Sequence, residues 1–381
     1  MSSKPNLSIL AISFTSGGAE KVMSLLLKEL VHDYNVYLIL FYNEIHFPIP
    51  PEVNVIMLTK KSPDRKFYQK ATDLIGFVFK YNKIVKQEKI SYAVSFLAFP
   101  NLVNGIIATF NKKVRTYISE RGFPSDNTTS KLSLAISKIF YPLLYNRCYK
   151  LFSNSVYINK DLKDNFGISI PMEIVYNPIE LPANVIIPES LQINPKSFKV
   201  INVGTLNVRK NQKMIIKALQ NLDDDYELEI FGSGPLEKQL KEYTAEVGLE
   251  DKVSLGGRVK NVNDYLLKNH CFVLSSHTEG FPNALLEAMA MGLPSISTNC
   301  LSGPLELLND DKPVVIPNGS FFKASYGILI NNDDHIGLAG ALRYLRSNAA
   351  ERVNYSRLSL ARAEQFELKN IYKQFKEFIH N

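Results

Sequence analysis

Residues 271–298, CFVLSSHTEGFPNALLEAMAMGLPSIST, place a short apolar strand, a polar loop, an apolar helix and a second short strand one after another. Cys271–Ser275 is almost wholly apolar, as is typical of a strand buried on both faces. Pro282–Met291 carries apolar residues at helical spacing, and Ser295–Thr298 has strand character again. A strand, a helix and a strand in this order form a βαβ unit, whose two strands are parallel in one sheet.

The same alternation of strands and helices precedes this unit, and two helices follow it. The second half of the chain is predicted to contain further strands at Lys199–Val203, Glu227–Phe231 and Val253–Leu255, helices at Asn211–Leu222, Pro235–Val247 and Val262–Lys268, and closing helices near 335–347 and 351–379. Strands and helices that alternate throughout predict a parallel, doubly wound sheet with helices on both faces.

The first half follows the same pattern. Its predicted strands are 6–14, Val36–Tyr42, Val53–Leu58, Tyr92–Phe96, Val114–Ser119 and Leu151–Asn154, and its helices are Ala19–Val31 and stretches around 66–88, 100–110 and 129–147. Ile179–Ser197 lacks periodicity and is rich in Pro and Asn, so it connects two domains. We expect an α/β protein with two doubly wound, Rossmann-like domains facing across a cleft. The predicted boundaries are an N-terminal domain at 1–185, a linker at 186–197, a C-terminal domain at 198–360 and a helix within 361–381 that crosses back to the first domain.

Composition and charge narrow the class of protein. Of 381 residues, 45% are hydrophobic and 21% are charged, which argues against disorder, and the chain is too long for one compact core. The net charge of +7 lies in the first half, since residues 1–190 hold 22 basic and 15 acidic side chains and residues 191–381 hold 22 of each. A basic domain joined to a neutral one favours an anionic partner, although a solvated basic surface fits equally well.

The cysteines and apolar runs indicate the compartment. Cys148, Cys271 and Cys300 are scattered and lack the spacing of a disulfide framework or a zinc site. The run Leu7–Phe14 is half the length of a spanning helix, and the longer apolar stretches elsewhere are broken by Lys, Asn or Pro. We therefore predict a cytoplasmic protein without a signal peptide or a transmembrane helix.

Ligands of doubly wound sheets bind at the carboxyl ends of the strands, so the loops from strand to helix are the informative ones. The loop of the opening segment contains Glu279, and Pro282 suits the first helical position, which leaves the N–H groups of Asn283 and Ala284 for an anion such as phosphate. Glu287 lies one turn into this helix, on the face of Asn283, where a carboxylate suits sugar hydroxyls. Either glutamate alone is as well explained by a solvated carboxylate.

Together, Glu279 and Glu287 enclose Gly280–Pro282 and resemble the E-x7-E motif of the retaining glycosyltransferases of family 4, which have the GT-B fold. The other segments in that family's order and spacing are Val203–Leu206 with Arg209–Asn211, Phe231–Leu236, Gly256 with Arg258 and Val259, Met291–Pro294, and Ser302–Glu306. The match covers about Val200 to Leu308. The first half matches weakly, through Ser16–Glu20 and Tyr176–Ile179.

The resemblance implies a role for each matching residue. Lys210 would neutralise the diphosphate of a nucleotide-sugar donor, the amides of Asn283 and Ala284 would hold its distal phosphate, and Glu287 would bind the ribose. Glu279 would contact the hydroxyls of the donor sugar. The predicted donor-binding set also includes Gly17, Gly18, Gly204, Thr205, Phe281, and Arg258 with Val259, whose backbone atoms would meet the nucleobase.

The first loop of the second domain departs from the family pattern. The family commonly has Arg after the glycine of this loop, whereas this chain has Thr205 after Gly204, so one diphosphate cation is missing. Arg209, beside Lys210, is the expected substitute because its planar guanidinium can bind phosphate through two N–H groups. We predict Glu279, Lys210 and Arg209 as the catalytic residues.

Two loops of the first domain are further candidates. Gly17 and Gly18 let a phosphate or the donor approach the backbone closely, but they lack the GxGxxG spacing of a nicotinamide site. At another strand end, relatives often place a His beside the reacting sugar, and this chain has Arg121 there. A cation is a poor general base, so Glu120 and Arg121 are predicted to bind phosphate or the acceptor.

No cofactor is predicted, because the nucleotide sugar is a substrate. No metal site is predicted either. Asp223–Asp225 contains a D-x-D pattern, but it lies between a helix end and a strand start, at the edge opposite the cleft. A solvated turn explains it better than a metal site.

A basic, aromatic-rich segment lies between residues 60 and 86. Its members are Lys60, Lys61, Arg65, Lys66, Phe67, Tyr68, Lys70, Phe77, Phe79, Lys80, Tyr81, Lys83 and Lys86. Such a face suits an anionic membrane surface, and the absence of a recognised motif argues against nucleic acid. A plain amphipathic helix packed on the domain is the alternative.

Together with the basic first half of the chain, the resemblance implies a retaining, metal-independent glycosyltransferase at the inner face of the cell membrane. By that resemblance it would move a sugar from a nucleotide-diphosphate donor, a UDP-sugar, to a lipid-linked or polysaccharide acceptor in the assembly of O-antigen, capsule or lipopolysaccharide. Three alternatives remain open: a nucleotide-sugar epimerase on the same fold, a glycoside hydrolase using the glutamate pair, and a membrane-binding protein with a decayed site.

Overall fold

The computed structural model describes residues 4–61, 67–126 and 131–381 and divides them into two compact units. Unit 1 comprises the chain up to Pro178 together with Leu368–Asn381, and unit 2 comprises Ile179–Glu367. Each unit contains one seven-stranded sheet. This architecture confirms the predicted pair of doubly wound α/β sheets.

The sheet of unit 1 is parallel throughout. Its strands are β1 (Asn6–Ala11), β2 (Asn35–Leu40), β3 (Asn54–Met57), β4 (Tyr92–Phe96), β5 (Arg115–Glu120), β6 (Lys150–Ser153) and β7 (Met172–Ile174). Their order is β3-β2-β1-β4-β5-β6-β7, and each neighbouring pair is parallel. The direction of winding therefore reverses between β1 and β4, which is where folds of this kind form a ligand crevice.

Helices connect these strands. They are α1 (Gly18–Asp33), α2 (Phe67–Gln87), α3 (Ala98–Phe110), α4 (Lys131–Tyr145) and α5 (Val156–Phe166). Helix α2 packs on α3, α3 on α4, and α4 on α5. Helices α3 and α4 approach closely, since a Cβ added at Gly105 would lie 2.6 Å from the carbonyl oxygen of Leu144. The sequence patterns did not predict α5 or β7.

The sheet of unit 2 departs from the predicted all-parallel arrangement at one edge. Its strands are β8 (Phe198–Val203), β9 (Tyr226–Phe231), β10 (Val253–Gly257), β11 (Cys271–Leu274), β12 (Ser295–Thr298), β13 (Phe321–Lys323) and β14 (Ile328–Ile330), in the order β10-β9-β8-β11-β12-β14-β13. The edge strand β13 is antiparallel to β14 because a tight turn joins them, in which the Ala324 N–H donates to the Gly327 carbonyl.

Seven helices accompany the described strands of unit 2, and the last helix predicted from the sequence is divided in two. They are α6 (Gln212–Leu219), α7 (Glu237–Glu246), α8 (Asn263–Leu266), α9 (Asn283–Ala290), α10 (Pro304–Asn309), α11 (His335–Ser347) and α12 (Ala349–Glu364). The helix predicted near 351–379 is two helices, α12 and α13 (Leu368–His380). Between them Phe366 is buried, and its carbonyl accepts the N–H of Ile179.

Helix α13 belongs to unit 1 and packs on α1. The hydroxyl of Tyr372 donates to Asp33 (2.6 Å), and Lys376 pairs with the same carboxylate at 3.0 Å. Phe375 and Phe378 are fully buried. In the described part of the chain, no helix is long and apolar enough to cross a membrane.

Candidate functional site

Three residues predicted to act together meet where β8 and β11 end. The Nζ atom of Lys210 lies 2.5 Å from Oε1 of Glu279, and Nη1 of Arg209 lies 3.7 Å from Oε2 of the same carboxylate. The hydroxyl of Ser276 donates a third contact to Oε1 (2.6 Å). The predicted catalytic set thus forms one cluster, built from residues 69 positions apart in the chain.

The electrostatics of this cluster follow from its burial. Glu279 is 4% exposed, and burial alone would raise its pKa. The charges of Lys210 and Arg209, with hydrogen bonds from Lys210 and Ser276, outweigh that effect and hold the pKa of Glu279 below its ordinary value. At neutral pH Glu279 is therefore expected as a carboxylate, beside two basic side chains.

The loop that carries Glu279 accepts two hydrogen bonds, one from the last residue of β12 and one from the loop that follows it. Thr298 Oγ1 donates to the carbonyl of Ser276 (2.6 Å), and Ser302 Oγ donates to the carbonyl of Gly280 (2.7 Å). Gly303 has φ +88°, and a Cβ there would lie 2.5 Å from the ring of Pro282. This close approach explains why the segment around Ser302 and Gly303 needs a glycine.

The loop that carries Lys210 donates backbone hydrogen bonds to the end of β9 and to the loop that follows it. The N–H of Gly204 donates to the Phe231 carbonyl, and the N–H of Leu206 donates to Ser233. Gly232 has φ +140°, and a Cβ there would lie 1.9 Å from the carbonyl oxygen of Gly204. Thr205 is exposed at the tip of this loop. The glycines of the Phe231–Leu236 segment thus let two loops touch.

A third loop, after β14, joins the two loops of the cluster, and the sequence patterns missed it. Oδ1 of Asp333 accepts a hydrogen bond from Asn211, the residue after Lys210, and lies 2.9 Å from Nε2 of His277. The N–H of His277 donates to the carbonyl of Arg209 (2.8 Å). The hydrogen bond from His277, the largest effect, lowers the pKa of Asp333. No pattern pointed to Asp333, because β14 itself was not predicted.

The helix α9 starts one residue later than the pattern predicts. It begins at Asn283, with Pro282 just before it, and the N–H of Asn283 donates to the Phe281 carbonyl (3.0 Å). The predicted contact of the Asn283 and Ala284 amides with a phosphate stays a prediction. Phe281 is buried with its ring 5.5 Å from that of Phe366, while Ala284 and Glu287 are half-buried.

The remaining predicted donor contacts lie at two other loop ends. Arg258 is exposed and Val259 half-buried directly after β10, whose last residue, Gly257, has φ +65°. In unit 1, Gly17 is the N-cap of α1, which begins at Gly18, one residue before the predicted start at Ala19. The carboxylate of Glu20 lies close to Gly17, since a Cβ at Gly17 would be 2.2 Å from Glu20 Oε2. Burial raises the pKa of Glu20, and a backbone hydrogen bond partly offsets this.

Arg121 lies in the core of unit 1. Its guanidinium stacks between the rings of Phe96 and Phe152, 5.1 and 4.9 Å from their centroids. Its Nε donates to Ser119 (2.7 Å) and its Nη1 to Asn177 (2.9 Å). Burial lowers the pKa of Arg121 to about 9. These contacts give Arg121 a packing role, and its predicted contact with phosphate or acceptor stays a prediction.

Glu120, the last residue of β5, is buried with mostly neutral partners. Its Oε1 accepts hydrogen bonds from Tyr145 (2.5 Å) and Asn101 (3.1 Å). Burial raises the pKa of Glu120 to about 7, although these bonds and the charge of Arg121 act in the opposite direction. Its predicted contact with the acceptor is likewise untested.

The Asp223–Asp225 turn has ionic partners of its own. Asp224 pairs with Lys252, and Asp225 pairs with Arg346. Among the residues that the structure describes, no group of three or more His, Cys, Asp or Glu side chains is placed to hold a metal ion.

The basic segment is described in part. Arg65 and Lys66 lie outside the described residues, as do the side chains of Phe67, Tyr68 and Lys70. In the rest of α2, Phe77 and Tyr81 are buried, whereas Phe79, Lys80, Lys83 and Lys86 are exposed. The described part of α2 is therefore amphipathic, with Lys80, Lys83 and Lys86 on the outer face.

Comparison with known proteins identifies relatives of the whole chain. The profile of the family described as "Glycosyl transferases group 1" matches residues 185–357. A protein of Campylobacter jejuni is 30% identical over 98% of this chain and 99% of its own length. It is named N-acetylgalactosamine-N,N'-diacetylbacillosaminyl-diphospho-undecaprenol 4-alpha-N-acetylgalactosaminyltransferase.

Solved structures show the same fold. Sucrose-phosphate synthase from Thermosynechococcus elongatus superposes with a TM-score of 0.80 at 15% identity, covering 98% of both chains. Anabaena HepE in complex with UDP superposes with a TM-score of 0.76 at 16% identity, covering 98% of this chain and 99% of its own. These likenesses confirm the predicted GT-B architecture of two Rossmann-like units.

Proposed function

The chain belongs to the group 1 glycosyl transferases, and we propose that it transfers a sugar from a UDP-sugar to a lipid-linked acceptor with retention of anomeric configuration. The name of the Campylobacter relative supports the lipid diphosphate acceptor and makes UDP-N-acetylgalactosamine the first donor to test. The UDP in the HepE structure supports the choice of nucleotide. The product would enter a cell-surface glycan such as O-antigen, capsule or lipopolysaccharide.

The observation that carries this proposal is the cluster of Lys210, Arg209 and Glu279. In the transfer step, the bond between the anomeric carbon and the diphosphate breaks, and negative charge develops on the departing phosphate. Lys210 and Arg209 would stabilise that charge, which is the kind of preorganised electrostatic effect that lowers barriers most. Glu279 would orient Lys210 and contact the sugar hydroxyls, and Glu287 would bind the ribose.

Retention follows if the departing diphosphate takes the proton of the acceptor hydroxyl on the face from which it leaves. No protein nucleophile is then needed. Lys210 and Arg209 would stabilise the negative charge on the departing diphosphate, as a metal ion does in other enzymes. Arg209 suits the place of the arginine missing at Thr205, because its side chain is 47% exposed and only 3.7 Å from Glu279, so it can turn toward a phosphate.

The hydrolase alternative fits the site less well. A glycoside hydrolase with a glutamate pair needs one carboxyl group protonated as general acid. The pKa of Glu279 is held below its ordinary value by Lys210 and Arg209, after the raising effect of burial is outweighed. Glu279 is therefore unsuited to be the proton donor, so a hydrolase would have to use Glu287 as its acid. Sugar release to water without a nucleotide would support that alternative.

We further propose that the protein acts at the cytoplasmic face of the cell membrane, with the exposed lysines of α2 toward anionic headgroups. Salt should then weaken membrane association, and charge reversal in residues 60–86 should do the same with nucleotide binding nearly unchanged.

Nucleotide binding is the first test. UDP should raise the unfolding temperature of the wild type more than GDP or ADP, since a ligand at a hundredfold its Kd stabilises by about 2.7 kcal/mol. Lys210→Ala and Glu287→Ala should lose this shift, whereas Lys238→Ala, an exposed lysine of α7, should keep it. If no nucleotide stabilises the wild type, the proposal fails.

Product analysis tests the reaction. The protein, UDP-N-acetylgalactosamine and a membrane lipid extract should give a lipid product heavier by one sugar, detected by mass spectrometry. Conversion of the UDP-sugar to an isomer without transfer would support the epimerase instead. Nucleotide binding without any turnover would support a decayed site.

A further inference from the structure

Helix α4 is apolar on both sides, and one side is uncovered. Tyr141 and Tyr145 face the core of unit 1. On the opposite side, five large hydrophobic side chains are exposed, at positions that repeat every three or four residues and so form one helix face. They are Leu132 (70%), Ile136 (36%), Ile139 (63%), Phe140 (44%) and Leu143 (52%), here called the outer face of α4.

Such a face needs an explanation. A helix that is apolar all round is normally buried all round, and contiguous apolar patches on a folded protein mark sites of contact with a membrane or another molecule. Isolated exposed residues would need none, but five along one helix form a continuous stripe. The outer face of α4 is therefore a contact surface.

The charge around this face indicates the partner. Residues 67–147 contain 12 basic and only 4 acidic side chains, and one of the basic ones, Arg121, is buried in the core. Two of these acids are not available to the surface, since Asp73 pairs with Lys61 and Glu120 is buried. Helix α4 itself contains no acid, and Lys138 and Arg147 are exposed on it and just after it. The surroundings of the outer face are thus strongly cationic.

The neighbouring helices extend the same surface. Because α2 packs on α3 and α3 on α4, the three lie side by side in one layer. Ile75 and Phe79 of α2 and Phe110 at the end of α3 are also exposed. The layer thus combines large apolar side chains with lysines, the composition of helices that lie in a membrane interface.

We propose that α4 is an in-plane membrane anchor whose outer face inserts among the acyl chains of an anionic bilayer while the surrounding lysines and arginine contact its headgroups. This inference deepens the proposed function and rests on its lipid-linked acceptor. A bilayer fits this face better than a groove on another protein. The outer face consists of aliphatic side chains and one phenyl ring, and it has no polar group that would fix the position of a protein partner. Fluid acyl chains do not need such a group. Anionic headgroups match the cationic surroundings.

The absence of tryptophan allows a direct test. The chain contains no Trp, so Phe140→Trp introduces a single fluorophore in the outer face. Phosphatidylcholine vesicles containing a quarter phosphatidylglycerol should shift its emission to the blue, and brominated acyl chains should quench it. Ile193→Trp, at a site 77% exposed in unit 2, is the matched control and should show neither effect. Unchanged Phe140→Trp emission with vesicle-bound protein overturns the proposal.

Further variants test how much the outer face of α4 contributes to membrane binding. Ile139→Asp with Leu143→Asp should reduce flotation with these vesicles by about tenfold or more, because two inserted side chains are lost and charge is placed in the acyl region. Ile193→Asp should float like the wild type. The UDP-induced thermal shift should be the same in all three, so failure of the anchor and failure of donor binding are separate results.

Acceptor dependence completes the test. The double variant should lose transfer to lipid-linked acceptor in vesicles but keep transfer to a short-chain, water-soluble analogue. Equal flotation of the double variant and the wild type would overturn the proposal. So would a concentration-dependent dimer in light scattering that Ile139→Asp with Leu143→Asp dissolves, since the face would then bind a second copy.

Discussion

Two glutamates, one in each unit, are almost equally buried, and yet their pKa values are shifted in opposite directions. Glu120 ends β5 in unit 1 and Glu279 lies just beyond β11 in unit 2, and they are 3% and 4% exposed. Burial raises the pKa of Glu120 to about 7, whereas the pKa of Glu279 is lowered because nearby cations outweigh the raising effect of burial.

The difference lies in the direction of the neighbouring charges. Lys210 approaches the Glu279 carboxylate to 2.5 Å, with Arg209 behind it. Arg121 follows Glu120 directly in the chain, but its guanidinium donates to Ser119 and Asn177 instead. Burial alone thus does not make a carboxylate functional. A buried carboxylate that is kept charged requires cations aimed at it, and those cations are what a diphosphate would use.

Glu279→Gln should have the largest effect. Gln keeps the shape and removes the charge, so Lys210 and Arg209 lose the group that orients them, and the transfer rate should fall about 10²- to 10³-fold. Stability should fall too, with about 3 kcal/mol as an upper figure for breaking a buried ion pair. Turnover of UDP-sugar and urea unfolding at pH 7.5 measure both, and a variant with wild-type turnover would contradict the assignment.

The pH dependence of this loss has a definite sign. The folded-state pKa of Glu279 is lowered, so its contribution to stability is present above the ordinary value of 4.5 and is lost as the pH falls through the depressed pKa. The difference in unfolding free energy between wild type and Glu279→Gln should therefore shrink in acid.

Glu120→Gln, the same chemical change, should act in the opposite direction. The folded protein holds a proton on Glu120 that the unfolded chain releases above pH 4.5, so the wild type should lose stability as the pH rises from 4.5 through about 7. A shift of this size corresponds to on the order of 3 kcal/mol. The variant should lack this loss and be more stable than the wild type at pH 8 but not at pH 5.

Urea unfolding at the two pH values checks this expectation. Glu242→Gln, at an exposed position in α7, is the matched control and should change neither value appreciably. A Glu120→Gln variant that is less stable than the wild type at pH 8 would show that the carboxylate is charged and satisfied in the fold.

Tyr145→Phe should have the smallest effect, and it tests how the hydrogen bond to Glu120 sets the pKa of that carboxyl group. It removes the hydroxyl that donates to Glu120 at 2.5 Å, which should cost about 1–2 kcal/mol at pH 8. Because this bond lowers the pKa of Glu120, its loss should move the pH-dependent fall in stability to higher pH. The double variant with Glu120→Gln should be non-additive, since the two groups share one interaction. Additive effects would show that they act independently.

Much of the fold was predictable because buried parallel strands are short apolar runs with turns on either side. Tyr92–Phe96 and Ser295–Thr298 have the bounds that the patterns predict. Strand β13, with three residues, is too short to show a period. The break between α12 and α13 contains neither Gly nor Pro and depends on Phe366, whose burial is a tertiary contact.

The site was predictable in its members and less so in its contacts. Glu279 was identified from its loop after a strand end, and Lys210 from its match to the family pattern, which its position after a strand end supports. The third loop with Asp333 was missed, since it depends on the position of β14. Arg121 shows the limit of reasoning from charge: its stacking partners Phe96 and Phe152 come from other strands, and a single loop sequence does not reveal them.

The membership of α13 in unit 1 has a consequence for the order of folding during synthesis. Unit 2 is one continuous segment, Ile179–Glu367, and all of it is synthesised before Phe375 and Phe378 are added to the chain. Domains usually fold from the N-terminus as they emerge, at about 5–20 residues per second. Here the earlier unit must wait through the translation of the whole later one, roughly ten seconds or more at that rate. Nascent unit 1 therefore keeps part of its apolar surface uncovered until Phe375 and Phe378 of α13 can pack on it.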